Sequence, residues 1–214
     1  MARVKICGIR TPDDYAAVAR AGADWVGMVF FPKSPRHLSL AEAAEIRALA
    51  DANTSLKAPL LVALVVDADD DALDAMMAAA RPEVIQCHGN ETPERLAAIK
   101  SRHKVAVMKA IRVKSEDSLT AALAYDGIAD MMLFDSAPVD AALPGGTGHS
   151  FDWGMMHHYR GTTPWMLAGG LTPANVAEAI RISDALAVDV SSGVESAPGK
   201  KDHQAIQDFV SAAQ

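Results

Sequence analysis

Aromatic residues are scarce in this chain. Phe, Trp and Tyr make up 5% of its 214 residues, whereas half of all residues are hydrophobic. The core must therefore be built from aliphatic side chains, alanine and methionine. Cysteine is scarcer still: two residues in a chain of this length make no disulfide framework, which points to a reducing compartment such as the cytoplasm. No segment approaches the ~20 uninterrupted apolar residues of a membrane span. The first residues carry no apolar run behind a basic cluster, so a secretory leader is not expected. Positive charge is in deficit, with 20 Lys and Arg against 27 Asp and Glu and a net charge of −7. That balance argues against nucleic acid as the main partner. An anionic small molecule stays open, provided its site is locally positive.

What the chain does have is a repeating pattern. Short apolar runs read as strands at 3–7, 25–30, 60–66, 83–87, 105–111, 130–135, 164–169 and 185–190. Between them lie stretches with apolar residues three and four apart, the spacing of amphipathic helices. Several carry start signals. Thr11 precedes Pro12 and the stretch ends at Gly22; Thr92 and Thr172 repeat the Thr-Pro start; Ser39 with Glu42 forms a capping box. Eight strands alternating with about eight helices imply a parallel sheet. An open, doubly wound sheet is the rival, but eight regular units favour closure into an α/β (β/α)8 TIM barrel, compact against the ~250 residues typical of that fold. No linker interrupts residues 1–214, so one domain is expected. The longest irregular stretches are 31–38 and 136–151, lengths that are often functional.

In such a barrel the active site lies at the C-terminal ends of the strands. Read in order, those ends carry Cys7, Asp67, His88, Asp135, Gly169-Gly170 and Ser191-Ser192-Gly193, while the strand starts are mainly apolar. Residues two apart share a face of a strand. Lys5 therefore sides with Cys7, Gln86 with His88, Leu133 with Asp135 and Asp189 with Ser191. These faces are expected to point into the barrel, and Cys87 by the same parity points to the helices as a small buried hydrophobe. For Cys7, position alone leaves both a packing role and a reactive role open. The two Gly- and Ser-rich loops after strands seven and eight suit phosphate, because backbone N–H groups at such loops bind anions there. The plainer reading is that their glycines only make tight turns.

Seven motifs, "KICGI" at 5–9, "FPKSPR" at 31–36, "IQCHGNE" at 85–91, "LFD" at 133–135, "GGTGHSFDW" at 145–153, "AGGLTPANV" at 168–176 and "DVSSGVESAPGKKD" at 189–202, run in order from the first strand to the last helix. Together they resemble the phosphoribosylanthranilate isomerases of tryptophan biosynthesis. The chain departs from that family at Cys87, where an apolar residue such as leucine is usual, and in its Met131-Met132 pair.

The resemblance implies an isomerase performing the Amadori rearrangement of N-(5-phosphoribosyl)anthranilate to 1-(2-carboxyphenylamino)-1-deoxyribulose 5-phosphate. It implies no cofactor and no metal, a phosphosugar as the sole small-molecule partner, and a monomer or homodimer away from membranes. The family pattern makes Cys7 the general base and Asp135 the general acid. A free thiol ionises at a pKa of roughly 8.5, so a cation is wanted nearby, and Lys5 is the candidate. An aspartate near ~3.9 is a poor donor at neutral pH unless burial or the anionic substrate raises its pKa. Arg36 looks like the partner of the anthranilate carboxylate. His88 either lines the floor of the site or is a hydrogen-bonded structural histidine. Asp189 is expected to position the loop after strand eight, and Asp67 to cap a helix. Gly146, within "GGTG", gives the loop after strand six its turn, with a substrate contact left open.

Other phosphosugar barrels are the enzyme rivals. An epimerase wants metal-binding histidines and paired carboxylates at strand ends, which are missing. An indole-glycerol-phosphate synthase wants a catalytic lysine and glutamate, and Lys109 is the one mid-strand lysine that could serve. A non-catalytic phosphate binder would not need both Cys7 and Asp135.

Overall fold

A computed structural model describes residues 1–55, 58–136 and 152–214. Eight strands form one closed parallel barrel in sequence order, with the first also paired to the last. They are β1 (Arg3–Cys7), β2 (Trp25–Phe30), β3 (Leu60–Val65), β4 (Val84–Cys87), β5 (Ala106–Val113), β6 (Met131–Ser136), β7 (Trp165–Leu167) and β8 (Ala187–Val190). The TIM barrel expected from the alternation is therefore the fold, and the open sheet is excluded.

Around the barrel run α1 (Pro12–Ala21), α2 (Leu40–Ala52), α3 (Asp70–Ala80), α4 (Pro93–His103), α5 (Glu116–Ala122), α6 (Val176–Ser183) and α7 (His203–Ala213). The described residues thus hold seven α-helices, one fewer than the sequence pattern suggests. Between β6 and β7 they include only a 3-10 helix, Trp153–His158, which buries Met156. Among the described residues no helix is long and apolar enough to cross a membrane.

The start signals hold where the hydroxyl can reach the third helical N–H. Thr11 with Asp14 and Ser39 with Glu42 both close capping boxes, and Thr92 accepts from the Arg95 amide. Two expectations fail. α6 begins at Val176, not after Thr172, because Asn175 is spent on the preceding turn: its Oδ1 accepts from the Thr172 amide at 2.7 Å and its Nδ2 donates to Gly170 O at 3.0 Å. Asp69, not Asp67, caps α3. Asp67 has a left-handed backbone (φ 49°) and accepts from the Asn90 amide at 2.6 Å, tying the β3 loop to the β4 loop.

Two shells of apolar side chains result. The outer one lies between strands and helices and includes Val4, Ile6, Leu61, Ile85, Cys87 and Phe134. The inner one fills the barrel with Trp25, Val62, Met108, Leu133 and Met166, capped nearer the top by Cys7, Val29 and Leu64. The period of two thus sorts the cysteines as expected: Cys7 faces in, Cys87 faces out, and both are free and buried. Above the apolar filling the interior turns polar, with Lys5, Gln86 and Asp189 all buried. Lys109 lies between the inward-facing Met108 and Ala110, so it faces out like its register partner Cys87. It is held by Glu91 Oε2 at 2.8 Å and Gly89 O at 2.7 Å, which removes it as a lysine of the barrel mouth.

Candidate active site

β1 brings Lys5 and Cys7 to the inner face. The thiol packs directly over Gly27, where a Cβ would stand 2.8 Å from its Sγ. Lys5 is fully buried and donates from Nζ to Asp189 Oδ1 on β8 at 3.0 Å. Burial works against the Lys5 ammonium, but Asp189 and Cys7 outweigh it, and its pKa ends above the ordinary lysine value. For Cys7 burial is also the largest influence and raises the pKa. Lys5 pulls it down, Asp189 pushes it up, Lys201 pulls it down, and the net is a raised thiol. Lys5 thus favours the thiolate, as expected of a cationic neighbour, but its pull is not enough to set the net direction. Lys5 does bear on Cys7, but desolvation wins, because a sulfur without water loses more than one shared cation returns.

On the other side of the mouth Asp135, near the end of β6, faces His88 after β4, with Nε2 3.5 Å from Oδ2. Gln86, two residues before His88 on the same face, lies 3.1 Å from the histidine's Nδ1 through its Nε2. Asp135 keeps 30% of its side chain exposed and His88 20%, so both are open to a ligand from above. In the closed barrel β8 and β7 stand between β1 and β6. The loops after β7 and β8 therefore lie between Cys7 and Asp135.

Those loops are built for close approach. Gly169 and Gly170 both have positive φ, at 89° and 66°. A Cβ on Gly193 would stand 1.9 Å from Leu171 O, so only glycine lets the β8 loop close onto the β7 loop. Ser192–Val194 form a single 3-10 turn, opened by Ser191. The Ser191 Oγ is buried and has no hydrogen-bond partner among the described residues, an unmet polar group beside this cleft.

Arg36 lies on the loop after β2, and its stem crosses over Gly8 (φ 77°), where a Cβ would meet Arg36 Cδ at 2.5 Å. Its guanidinium is gripped from Nε and Nη2 by the two oxygens of Glu195, each at 2.7 Å. Glu195 begins a hairpin of β9 (Glu195–Ala197) and β10 (Lys200–Lys201). Lys201 donates from Nζ to Glu195 Oε1 at 2.8 Å and to Ser191 O at 2.9 Å. Burial acts against the Glu195 carboxylate, yet Arg36 and Lys201 hold it below the usual glutamate range. Sequence reasoning missed both Glu195 and Lys201, although both lie inside the quoted "DVSSGVESAPGKKD". Gly146 and its "GGTG" turn lie outside the described residues. Among the described residues no group of three or more His, Cys, Asp or Glu is placed to hold a metal ion.

The family model for N-(5′-phosphoribosyl)anthranilate (PRA) isomerase matches residues 4–212. An N-(5′-phosphoribosyl)anthranilate isomerase from Parvibaculum lavamentivorans is 51% identical over 215 positions, covering 99% of this chain and 97% of that protein. One from Cereibacter sphaeroides is 50% identical over 212 positions, covering 99% and 98%. The crystal structure of the Thermotoga maritima isomerase superposes with a TM-score of 0.86 at 35% identity, covering 100% of this chain and 98% of that one. A phosphoribosyl anthranilate isomerase solved with reduced 1-(o-carboxyphenylamino)-1-deoxyribulose 5-phosphate superposes with a TM-score of 0.82 at 33% identity, again covering 100% and 98%. Similarity over essentially the whole chain, on a barrel with this polar mouth, means that the chain belongs to the N-(5′-phosphoribosyl)anthranilate isomerase family.

Proposed function

We propose that Cys7 and Asp135 are the base and the acid of the Amadori rearrangement. Membership of the family makes this an isomerase of tryptophan biosynthesis, acting on N-(5′-phosphoribosyl)anthranilate. The observation that carries the assignment is the barrel order: the loops suited to phosphate, on β7 and β8, stand between β6 with Asp135 and β1 with Cys7. A sugar tethered there by its 5-phosphate has the acid on one flank and the base on the other. The backbone N–H groups of Gly169, Gly170, Ser192 and Gly193, with the unpartnered Ser191 hydroxyl, are the phosphate donors.

The steps follow from the groups. Asp135 donates its proton to the ribose ring oxygen; the C1′–O bond breaks and the anthranilate nitrogen takes up the charge as a Schiff base. Cys7, as thiolate, removes the C2′ proton, and the C–H electron pair moves into the carbon–nitrogen system to give an enolamine. Return of a proton to C1′ and loss of the C2′ hydroxyl proton yield the ketone, so the sum is an isomerisation. A raised thiol pKa makes Cys7 a stronger base once ionised. The cationic Schiff base and the fixed Lys5 ammonium favour that ionisation in the complex. Arg36 receives the anthranilate carboxylate, His88 and Gln86 orient Asp135, and Asp189 holds Lys5.

All these groups come from one chain, so the reading is the same for a monomer or a homodimer; a Thermotoga maritima relative is described as dimeric. Two free thiols suit the cytoplasm. We read residues 1–214 as one isomerase domain.

Fluorescence of the anthranilate ring follows turnover directly. Cys7→Ala and Asp135→Asn should each lower kcat by about 10²–10⁴ while a product analogue still binds. Near-normal turnover in either variant would refute its role.

A further inference from the structure

Glu195 is a buried carboxylate that the proposed chemistry does not use. Its side chain is 3% exposed, yet it meets two cations, Arg36 and Lys201, of which Lys201 is fully buried. All of its acceptor capacity is spoken for. Oε1 accepts from Arg36 Nε and Lys201 Nζ; Oε2 accepts from Arg36 Nη2 and from the Gly199 amide at 3.3 Å. The arrangement spans three neighbouring strands, because Arg36 follows β2 and Glu195 follows β8, with β1 and Cys7 between them. Of the three ions only Arg36 retains appreciable exposure, at 16% of its side chain.

A guanidinium has five N–H donors arranged as two forks. Glu195 occupies the Nε–Nη2 fork, and no described residue accepts from Nη1. We propose that Glu195, braced by Lys201, is a positioning residue that aims Arg36 and reserves its Nη1 edge for the substrate carboxylate. Arg36 without it would be a long, rotamer-rich cation near the barrel mouth. With it, the stem is pinned over Gly8 and the inner fork is closed, so the guanidinium is preorganised before substrate arrives. The inference rests on the reading of Arg36 as the carboxylate partner.

The test compares binding of the reduced product analogue with binding of the same molecule lacking the ring carboxylate. The ratio of the two Kd values measures carboxylate recognition and is insensitive to general weakening of the fold or of the phosphate loops. Glu195→Gln replaces one acceptor oxygen with an amide donor facing two cations. It should shrink the ratio about five- to tenfold, the scale of one hydrogen bond's net contribution. In an Arg36→Met background the same change should have no further effect on the ratio, because Glu195 acts through Arg36. An unchanged ratio in Glu195→Gln, or equal weakening of both ligands, overturns the proposal while leaving Arg36 in its role. A ratio that survives Arg36→Met shows instead that Arg36 does not read the carboxylate, and both readings fall. If Glu195→Gln does not fold, Glu195→Asp decides: the charge remains but the carboxylate is withdrawn by one methylene. Its ratio should fall below wild type, and a wild-type ratio overturns the proposal.

Discussion

Replacing Lys5 by Met separates what its charge does for stability from what it does for Cys7. Lys5 and Asp189 form a pair at 3.0 Å, with the lysine fully enclosed. Removing one partner leaves a buried, uncompensated carboxylate, which costs about 3–5 kcal/mol. That is a large share of the roughly 5–15 kcal/mol by which a domain is stable, so Lys5→Met should unfold at clearly lower urea. The double variant Lys5→Met/Asp189→Leu removes both charges and should regain wild-type stability or exceed it, as apolar replacements of buried pairs often do. Activity should not return with it. After burial, Lys5 is the largest influence on the Cys7 pKa and lowers it; Asp189 raises it, but by less. Losing both therefore raises the thiol pKa further. The limb of kcat/KM that rises with pH as the base ionises must then move to higher pH. Below that limb the rate falls about tenfold for each unit of displacement. Urea unfolding and a pH–rate profile of the three proteins provide the measurements. If the double variant is stable and its limb has not moved, or has moved to lower pH, Lys5 does not govern the base and the assignment of Cys7 loses its electrostatic support.

Arg36→Met should raise KM about ten- to a hundredfold with kcat largely kept, the loss of a charge-assisted contact of about 1.5–3 kcal/mol; Arg36→Lys should recover only part, since a lysine cannot grip Glu195 and a carboxylate with two forks. Equal KM values for wild type and Arg36→Met would refute the contact. Gly193→Ala drives a methyl into Leu171 O, so inhibition by inorganic phosphate should weaken about tenfold, and unchanged inhibition would move the phosphate away from these loops. Burial holds the Cys87 thiol at about 12 instead of about 9. The fold keeps a proton that the unfolded chain releases, so this thiol's contribution to stability is flat below pH 9 and falls by up to about 1.4 kcal/mol per unit as pH rises toward 12. Cys87→Ala should flatten that slope, and a slope identical to wild type in alkaline urea titrations would show that the thiol is not the source.

Most of the barrel is legible in the sequence because strands and helices announce themselves locally. β1 and β2 coincide with their apolar runs, and the other strands start or stop within two residues of them. Parity then sorts side chains to two shells, and this alone separates Cys7 from Cys87. The errors share one cause. Thr172 looks like a helix cap, but Asn175 ties the turn to Gly170, and that bond serves the loop rather than the helix. Asp67 and Asp69 are both acidic residues ahead of α3, and only the backbone at Asp67 shows which one turns away. A local pattern identifies a competent residue; it does not say which of two competitors the tertiary structure employs.

Buried charge is the harder case. Glu195 and Lys201 sit in "GVESAPGKKD", a stretch whose proline, glycines and charges read as a solvated turn. Nothing nearby in sequence reports that Glu195 is enclosed, because its main partner is Arg36, 159 positions earlier. The same limit applies to Cys7. Sequence parity supplies its neighbour Lys5 and the sign of that neighbour's effect. Whether the thiol is thereby activated depends on a comparison of magnitudes, attraction to one ammonium against loss of hydration, and the second depends on how completely the barrel excludes water. Here the exclusion is nearly complete and desolvation is the larger effect. The consequence for mechanism is specific. If Cys7 is the base, as proposed, its raised pKa keeps it a thiol in the empty site, and oxidation and alkylation there should be slow. A thiolate base would then form in the complex, where ring opening creates a cationic nitrogen one carbon removed from C2′, the carbon that bears the proton to be removed. Under the proposed assignment the acid step at Asp135 would precede the base step at Cys7 for an electrostatic reason as well as a chemical one.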